Sequence, residues 1–265
     1  MKRVLALVLA MMMLLGGVAM ADGSLQALTD RGQFILGLDD SFPPMGYRDE
    51  NNDIVGFDID LAREVCARLG VELVLQPIDW SAKEMELAAG NIDCIWNGMS
   101  STPARQESMS CSINYMNNMI VFLTNNEANQ SRADLVGKVV AVQTGSFAEE
   151  VLTTYEEYEE YKASLAEVRG YPDYLTAIMD MKNGNVDAIL IDLVVANFRM
   201  ASLNDPSLFT MDNLADDLYC IGFRKEDVAL RDKVNEVLVE MQKDGKVDEI
   251  AATWFGENIS IIPAE

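Results

Sequence analysis

The sequence predicts an α/β protein made of two successive strand–helix alternations, and three observations carry that reading. Short apolar runs recur at residues 33–38, 71–75, 92–96, 138–142, 167–170 and 187–191, each of strand length. Between them lie segments with apolar residues at helical spacing, of which Leu61, Ala62, Val65, Cys66 and Leu69 are the clearest set. This order is the grammar of a parallel sheet with right-handed crossovers, and it starts afresh after an extended segment at 113–124.

Residues 33–38 read as the first strand. They run into Asp39-Asp40-Ser41-Phe42-Pro43-Pro44-Met45-Gly46-Tyr47, a turn rich in breakers, and then a charged hairpin-like tip at 48–53. Gly56-Phe57-Asp58 opens a helix with Asp58 as its expected cap, and Gly70 ends it. Glu64 and Arg68 lie four apart on its wet face. Residues 71–75 are the second strand, 80–89 the second helix, ended by Gly90, and 92–96 the third strand. The second alternation has a short helix at 131–136 and a strand at 138–142. That strand ends in Gln143-Thr144-Gly145-Ser146-Phe147 at the start of a helix. An acidic, aromatic helix at 155–161, a strand at 167–170, a helix at 174–181, a strand at 187–191 ending at Asp192, and another helix follow. Residues 219–224 are extended again, and helices at 228–243 and 247–254 close the order.

Residues 1–21 read as a secretory signal peptide: Lys2 and Arg3, an apolar run at 4–15, then Ala19-Met20-Ala21 as a cleavage signal. Residue 22 is Asp, so no lipid-attachment cysteine follows the cut. Removal takes away two cations and no anion, so the net charge of −23 becomes −25. That acidity argues against nucleic acid and anionic membrane surfaces as partners. An anionic ligand group must then be met by a local cation. The chain has no histidine, which excludes Ser-His-Asp and Cys-His catalysis and histidine-ligated zinc. The cysteines Cys66, Cys94, Cys111 and Cys220 show no paired spacing, and no metal site is expected.

One stretch concentrates the polar chemistry. Residues 94–105 start apolar, with Trp96 reading as core, and then turn to Asn97, Gly98, Ser100, Ser101 and Thr102. Pro103 suits the first position of a helix and Thr102 its cap, which places Arg105 in the first turn. Amides, hydroxyls and a forked guanidinium at the carboxyl end of a strand suit a carboxylate or phosphate. A polar turn with a surface arginine fits this stretch alone equally well.

Six segments in order make the reading specific: Gly56-Phe57-Asp58-Ile59-Asp60-Leu61-Ala62, Gly98-Met99-Ser100-Ser101-Thr102-Pro103-Ala104-Arg105, Gln143-Thr144-Gly145-Ser146, Val186-Asp187-Ala188-Ile189-Leu190-Ile191-Asp192, Gly222-Phe223-Arg224-Lys225-Glu226-Asp227 and Trp254-Phe255-Gly256. At these intervals the chain resembles the extracytoplasmic (periplasmic) amino-acid-binding proteins of ABC importers, solute-binding protein family 3. The resemblance implies the type II periplasmic-binding fold, two α/β sandwich lobes joined by a two-segment hinge. Lobe 1 would comprise residues 22–116 with 219–265, and lobe 2 residues 117–218. It implies a non-catalytic protein without cofactor, exported to the periplasm or cell surface, which closes on an amino acid and passes it to a transporter permease.

By position, the resemblance makes Arg105 the clamp for the ligand carboxylate, helped by a hydroxyl or N–H of Ser100 and the N–H of Ser146. Gly98 would offer its carbonyl, and Asp192 its carboxylate, to the ligand ammonium. On spacing alone Asp192 reads as an ordinary helix cap. Asp39, Phe42, Met45 and Trp80 match positions around the ligand side chain. Three departures stand out. Leu73 occupies the place where some relatives pair a cysteine with the position of Cys66. Cys111-Ser112-Ile113-Asn114-Tyr115 lacks the usual proline. Phe147 stands where relatives commonly carry a small or polar residue. A secreted enzyme on the same fold, such as a cyclohexadienyl dehydratase-like lyase, is the alternative. With Asp39 and Asp40 at the mouth, and no cation but Arg105 in the loops expected to line it, the site should prefer glutamine or a basic amino acid over acidic ones. A flat amide or guanidinium could lie between Phe42 and Trp80.

Overall fold

The computed structural model describes residues 22–264, so the expected signal peptide lies outside them. Twelve strands are found among the described residues: β1 (Gln33–Leu38), β2 (Ser41–Phe42), β3 (Gly46–Arg48), β4 (Ile54–Val55), β5 (Glu72–Pro77), β6 (Cys94–Ser100), β7 (Ser110–Cys111), β8 (Met116–Thr124), β9 (Val139–Gln143), β10 (Glu167–Tyr171), β11 (Ala188–Asp192) and β12 (Phe209–Phe223). Eight of them form the path β10-β9-β11-β8-β12-β6-β1-β5, β7 adds to β12, and β2-β3-β4 make a small second sheet.

The two alternations become two parallel groups at opposite ends of one sheet. β1 runs parallel to β5 and β6, and β9 runs parallel to β10 and β11. Parallel neighbours need crossover connections. Helices at Phe57–Leu69 and Lys83–Ala88 serve the first group, and helices at Phe147–Thr154 and Tyr174–Lys182 the second. Between the groups lie β8 and β12, antiparallel to each other. β12 pairs with β8 from Phe209 to Tyr219 and with β6 from Tyr219 to Gly222. Tyr219 therefore belongs to both ladders. Only the last part of β12 is legible from the sequence, because Asp212, Asn213, Asp216 and Asp217 interrupt its apolar pattern and two register shifts break its ladder.

The side-chain alternation of the strands sorts the core. Phe34 and Leu36 of β1, Val121 and Leu123 of β8, Ala141 of β9 and Ile189 and Ile191 of β11 share one apolar cluster that runs under both groups. Ile120, Phe122, Val140, Val142 and Leu190 point the other way into a cluster confined to the second group. Ile95, Met99 and Cys220 do the same in the first. Trp96 is fully buried, as expected of a core residue. All four cysteines are free thiols, and only Cys111 is more than marginally exposed.

Two local readings need correcting. β6 continues to Ser100 with every residue buried, so Asn97 and Ser100 are strand residues and not loop residues. Ser100 is held in the strand by Tyr219 of β12, its ladder partner, and the Asn97 side-chain oxygen accepts the Asp39 N–H at 3.0 Å. Asp58 does not cap its helix; Gly56 holds the cap position, and the Asp58 side chain makes no cap bond. Its carboxylate instead accepts the Gly98 N–H at 2.7 Å and the Tyr115 hydroxyl at 2.9 Å. Burial pushes its pKa up to about 7.

Gly56 is required where it stands. Its φ is +147°, and a Cβ there would meet the Met45 carbonyl oxygen at 2.1 Å. Gly56→Ala is expected to cost at least ~2 kcal/mol of stability, through strain and a forced backbone shift. A guanidinium chloride midpoint unchanged from the wild type would overturn that assignment.

Candidate functional site

A small cavity of about 10 Å³ lies between the two strand groups, lined by Phe42, Trp80, Gly98, Ser100, Arg105, Gln143, Ser146, Phe147 and Asp192. Eight of the ten residues expected from the sequence are thus brought together. The ninth, Asp39, stands one bond behind the wall: its carboxylate accepts the Gln143 Nε2 at 2.6 Å and the Ser41 hydroxyl at 2.7 Å. Burial raises its pKa, and those hydrogen bonds oppose the rise. Met45 is core and does not reach the cavity. Gln143 was missed as an individual residue. It is the last residue of β9, two positions before Gly145, and a strand end facing a cleft was the signal available.

Local structure positions the cationic pole. Thr102 caps the helix Pro103–Ser108, its hydroxyl accepting the Arg105 N–H at 3.3 Å, with Pro103 opening the first turn as predicted. Arg105, 6 % exposed, donates to the Ser100 carbonyl at 3.0 Å and to the Gly145 carbonyl of the opposite group at 3.4 Å. Glu150 lies 3.7 Å from the same guanidinium. Ser146 caps the helix Phe147–Thr154, its hydroxyl accepting the Glu149 N–H at 3.2 Å. Its own N–H, expected to serve a carboxylate, donates here to the Gln143 carbonyl at 3.2 Å.

A second cation stands beside Arg105, contrary to the sequence expectation. Lys83 is 2 % exposed and donates to the carbonyls of Gly145 at 2.8 Å and Trp80 at 3.2 Å. Its Nζ also lies 5.1 Å above the Trp80 ring. Burial pulls its pKa down to about 8, and Arg105 nearby adds to that. The sequence concealed Lys83 because it lies on a helix, not in a loop. Away from Arg105, on the Asp39 side, Arg199 donates to the Ser41 carbonyl at 2.9 Å and feels the charges of Asp173 and Asp39.

The anionic pole is Asp192, at the end of β11. It sits at a helix N-cap, yet its side chain makes no cap bond. The carboxylate instead accepts from Asn118 Nδ2 at 2.7 Å and from the hydroxyls of Tyr219 at 2.7 Å and Tyr174 at 3.2 Å. Burial raises its pKa, while these three donors favour the ionised form. Gly98 meets this pole with φ +59°. A Cβ there would strike the Phe42 ring at 2.7 Å and the Tyr219 ring at 3.2 Å, so only glycine fits. The Ser100 hydroxyl donates to Asp217 Oδ2 at 3.0 Å. A serine has one hydroxyl proton, so in this conformation Ser100 Oγ faces the cavity only as an acceptor. Phe42, Trp80 and Phe147, all less than a tenth exposed, form the apolar walls.

The sequence pattern of the family described as bacterial extracellular solute-binding proteins, family 3, matches residues 34–257. Among curated relatives, the L-cystine-binding protein TcyJ of Escherichia coli (strain K12) is 29 % identical over 242 residues, covering 90 % of this chain and 88 % of TcyJ. The arginine-binding extracellular protein ArtP of Bacillus subtilis (strain 168) is 29 % identical over 258 residues, covering 96 % and 98 %. Among solved structures, an ABC uptake transporter substrate-binding protein from Streptococcus pneumoniae with bound histidine superposes with a TM-score of 0.87 and 34 % identity, covering 91 % of this chain and 98 % of that one. All three are named as binding proteins. With the two-lobed type II fold and a family pattern that spans both strand groups, the chain belongs to the bacterial extracellular solute-binding proteins, family 3.

Proposed function

We propose that this protein captures one free amino acid between two lobes and delivers it, outside the cytoplasm, to the permease of an ABC importer. The proposed ligand is a basic amino acid, arginine first, with glutamine next. The observation that carries the reading is one cavity that joins a cationic pole at Arg105 to an anionic pole at Asp192, one from each strand group. An amino acid is a zwitterion, and these poles complement its carboxylate and ammonium. The aromatic walls and Asp39 behind Gln143 suit a flat, cationic side chain. Relatives named for arginine, histidine and cystine support an amino acid as the ligand class.

In this reading residues 22–116 with 219–265 form one lobe and residues 117–218 the other. The cavity of about 10 Å³ has room for roughly one water, so an amino acid enters only when the lobes part. β8 and β12, the two continuous crossings, would flex. Lys83 to Gly145, Arg105 to Gly145, Gln143 to Asp39 and Arg199 to Ser41 are among the contacts that opening breaks and closure restores.

The test is a thermal-shift panel of the common L-amino acids on the wild type and Asp39→Asn. Arginine is expected to give the largest rise, reflecting about 2.7 kcal/mol when its concentration is a hundredfold above Kd. Glutamate and aspartate are expected to give none, and Asp39→Asn to narrow the gap between arginine and glutamine. A wild-type optimum at an acidic amino acid would refute the side-chain assignment.

A further inference from the structure

The ligand cavity has a buried carboxylate behind it that the clamp described so far does not use. Asp217 lies on β12, 7 % exposed, where that strand passes from one group to the other. Its Oδ2 accepts from the Ser100 hydroxyl and from Asn118 Nδ2, each at 3.0 Å. Its Oδ1 accepts the Leu218 N–H at 2.8 Å. The same Asn118 amide donates to Asp192 at 2.7 Å. One carboxyl on a crossing strand therefore touches the first-group residue Ser100 directly and the second-group residue Asp192 through one amide.

We infer that Asp217 is the positioning residue of the ammonium site: it fixes the Ser100 hydroxyl as an acceptor and turns the Asn118 amide so that Asp192 is oriented toward the cavity. The inference rests on the reading of Asp192 and Ser100 as ligand groups. Its chemistry is simple. If the Ser100 proton were not taken by Asp217, the hydroxyl could donate into the cavity and would oppose an ammonium. With the proton taken, Ser100 Oγ and Asp192 present lone pairs together, the arrangement that a primary ammonium with three N–H groups requires.

Binding should then be linked to a proton. Groups facing Asp217 are Ser100 from β6, Asn118 from β8, Asp192 from β11, Tyr219 from β12 itself, and Tyr155 across the adjoining groove, which Glu157 and Asp216 also line. Asp192 is the charged neighbour that acts on it most directly. Burial, then the charge of Asp192, push the Asp217 pKa up to about 7. A ligand ammonium brought beside the pair offsets that repulsion and draws Asp217 toward the ionised state. Ligand binding should therefore release protons near neutral pH, and affinity should fall as pH drops below about 7.

The experiment is calorimetry of L-arginine binding to the wild type, Asp217→Asn and Asp217→Ala at pH 6, 7 and 8, in buffers of different ionisation enthalpy. The wild type is expected to release about half a proton at pH 7, and its affinity to rise severalfold from pH 6 to pH 8. Asp217→Asn should bind at least ~10-fold more weakly at pH 8, with neither the proton release nor the pH slope, and Asp217→Ala more weakly still. A merely structural role would lower affinity without flattening the pH profile. Proton release retained in Asp217→Asn would overturn the inference. If the wild type does not bind arginine, the arginine reading fails, and carboxyl carbon NMR of the free protein decides about Asp217. A resonance lost in Asp217→Asn that titrates between pH 6 and 8, with the Asp192 resonance shifted in that variant, supports the inference. No such resonance overturns it.

Discussion

Arg105→Ala is expected to lower affinity for L-arginine by about 30-fold to several thousand-fold, the loss that follows from leaving one partner of a buried charge pair without the other, about 2–5 kcal/mol. The guanidinium is 6 % exposed and spans the two strand groups, from the Ser100 carbonyl to that of Gly145. Alanine is a good helix former, and the Thr102 cap on the residue 105 N–H is a backbone interaction that the substitution leaves in place. The circular dichroism spectrum should therefore be retained. Calorimetry checks the affinity, and a thermal melt of the ligand-free variant checks the fold. Lys83 lies beside the vacated space and shares the Gly145 carbonyl, so Arg105→Lys should recover part of the loss but not the bidentate geometry. An unchanged affinity in Arg105→Ala would remove the carboxylate-clamp assignment.

Asp192→Asn should weaken binding by a similar factor while leaving the ligand-free protein as stable or more so. The amide keeps an oxygen for Asn118 and Tyr219 but surrenders the charge that a ligand ammonium needs. The two effects separate by pH. Burial raises the Asp192 pKa above its unfolded value. A raised carboxyl contributes stability that is present below the ordinary carboxylate range and is lost as pH rises through the folded value. The wild type alone carries that cost, so the melting temperature of Asp192→Asn relative to the wild type should grow from pH 4 toward pH 8. A fall in relative stability with rising pH would show the carboxylate to be stabilising in the free protein and would contradict this account.

Most of the architecture was legible in the chain because local rules govern it. Strand length, helical spacing and glycine at helix ends placed the long strands and most helices, though not the helix Ser24–Arg31 or the short strands β2, β3, β4 and β7, and the Thr102-Pro103 start signal placed Arg105 in its first turn. Elements whose identity depends on distant partners were read less well. β12 was cut short because its polar residues look like loop until β8 is laid beside it. Asn97 and Ser100 were read as a loop because no short-range signal shows that β12 pairs there.

Local residue order specifies the class of the fold, the ends of the strands where polar groups gather, and the residue types available there: one arginine in a turn, acids at two strand ends, and aromatics beside them. Spacing along the chain suffices for these, since period and punctuation are properties of a few neighbouring residues. Which way each side chain faces, and with whom it makes hydrogen bonds, is set by long-range packing. Asp192 could cap its helix, but it turns to Asn118, Tyr174 and Tyr219, residues 74, 18 and 27 positions away. Ser100 donates its hydroxyl hydrogen bond to Asp217, 117 positions away, and Asp39 meets the cavity wall through Gln143, 104 positions away. Lys83 donates a hydrogen bond at 2.8 Å to the Gly145 carbonyl, 62 positions away. A hydrogen bond needs both partners within about 3 Å, and across such sequence separations that proximity exists only after the chain has packed.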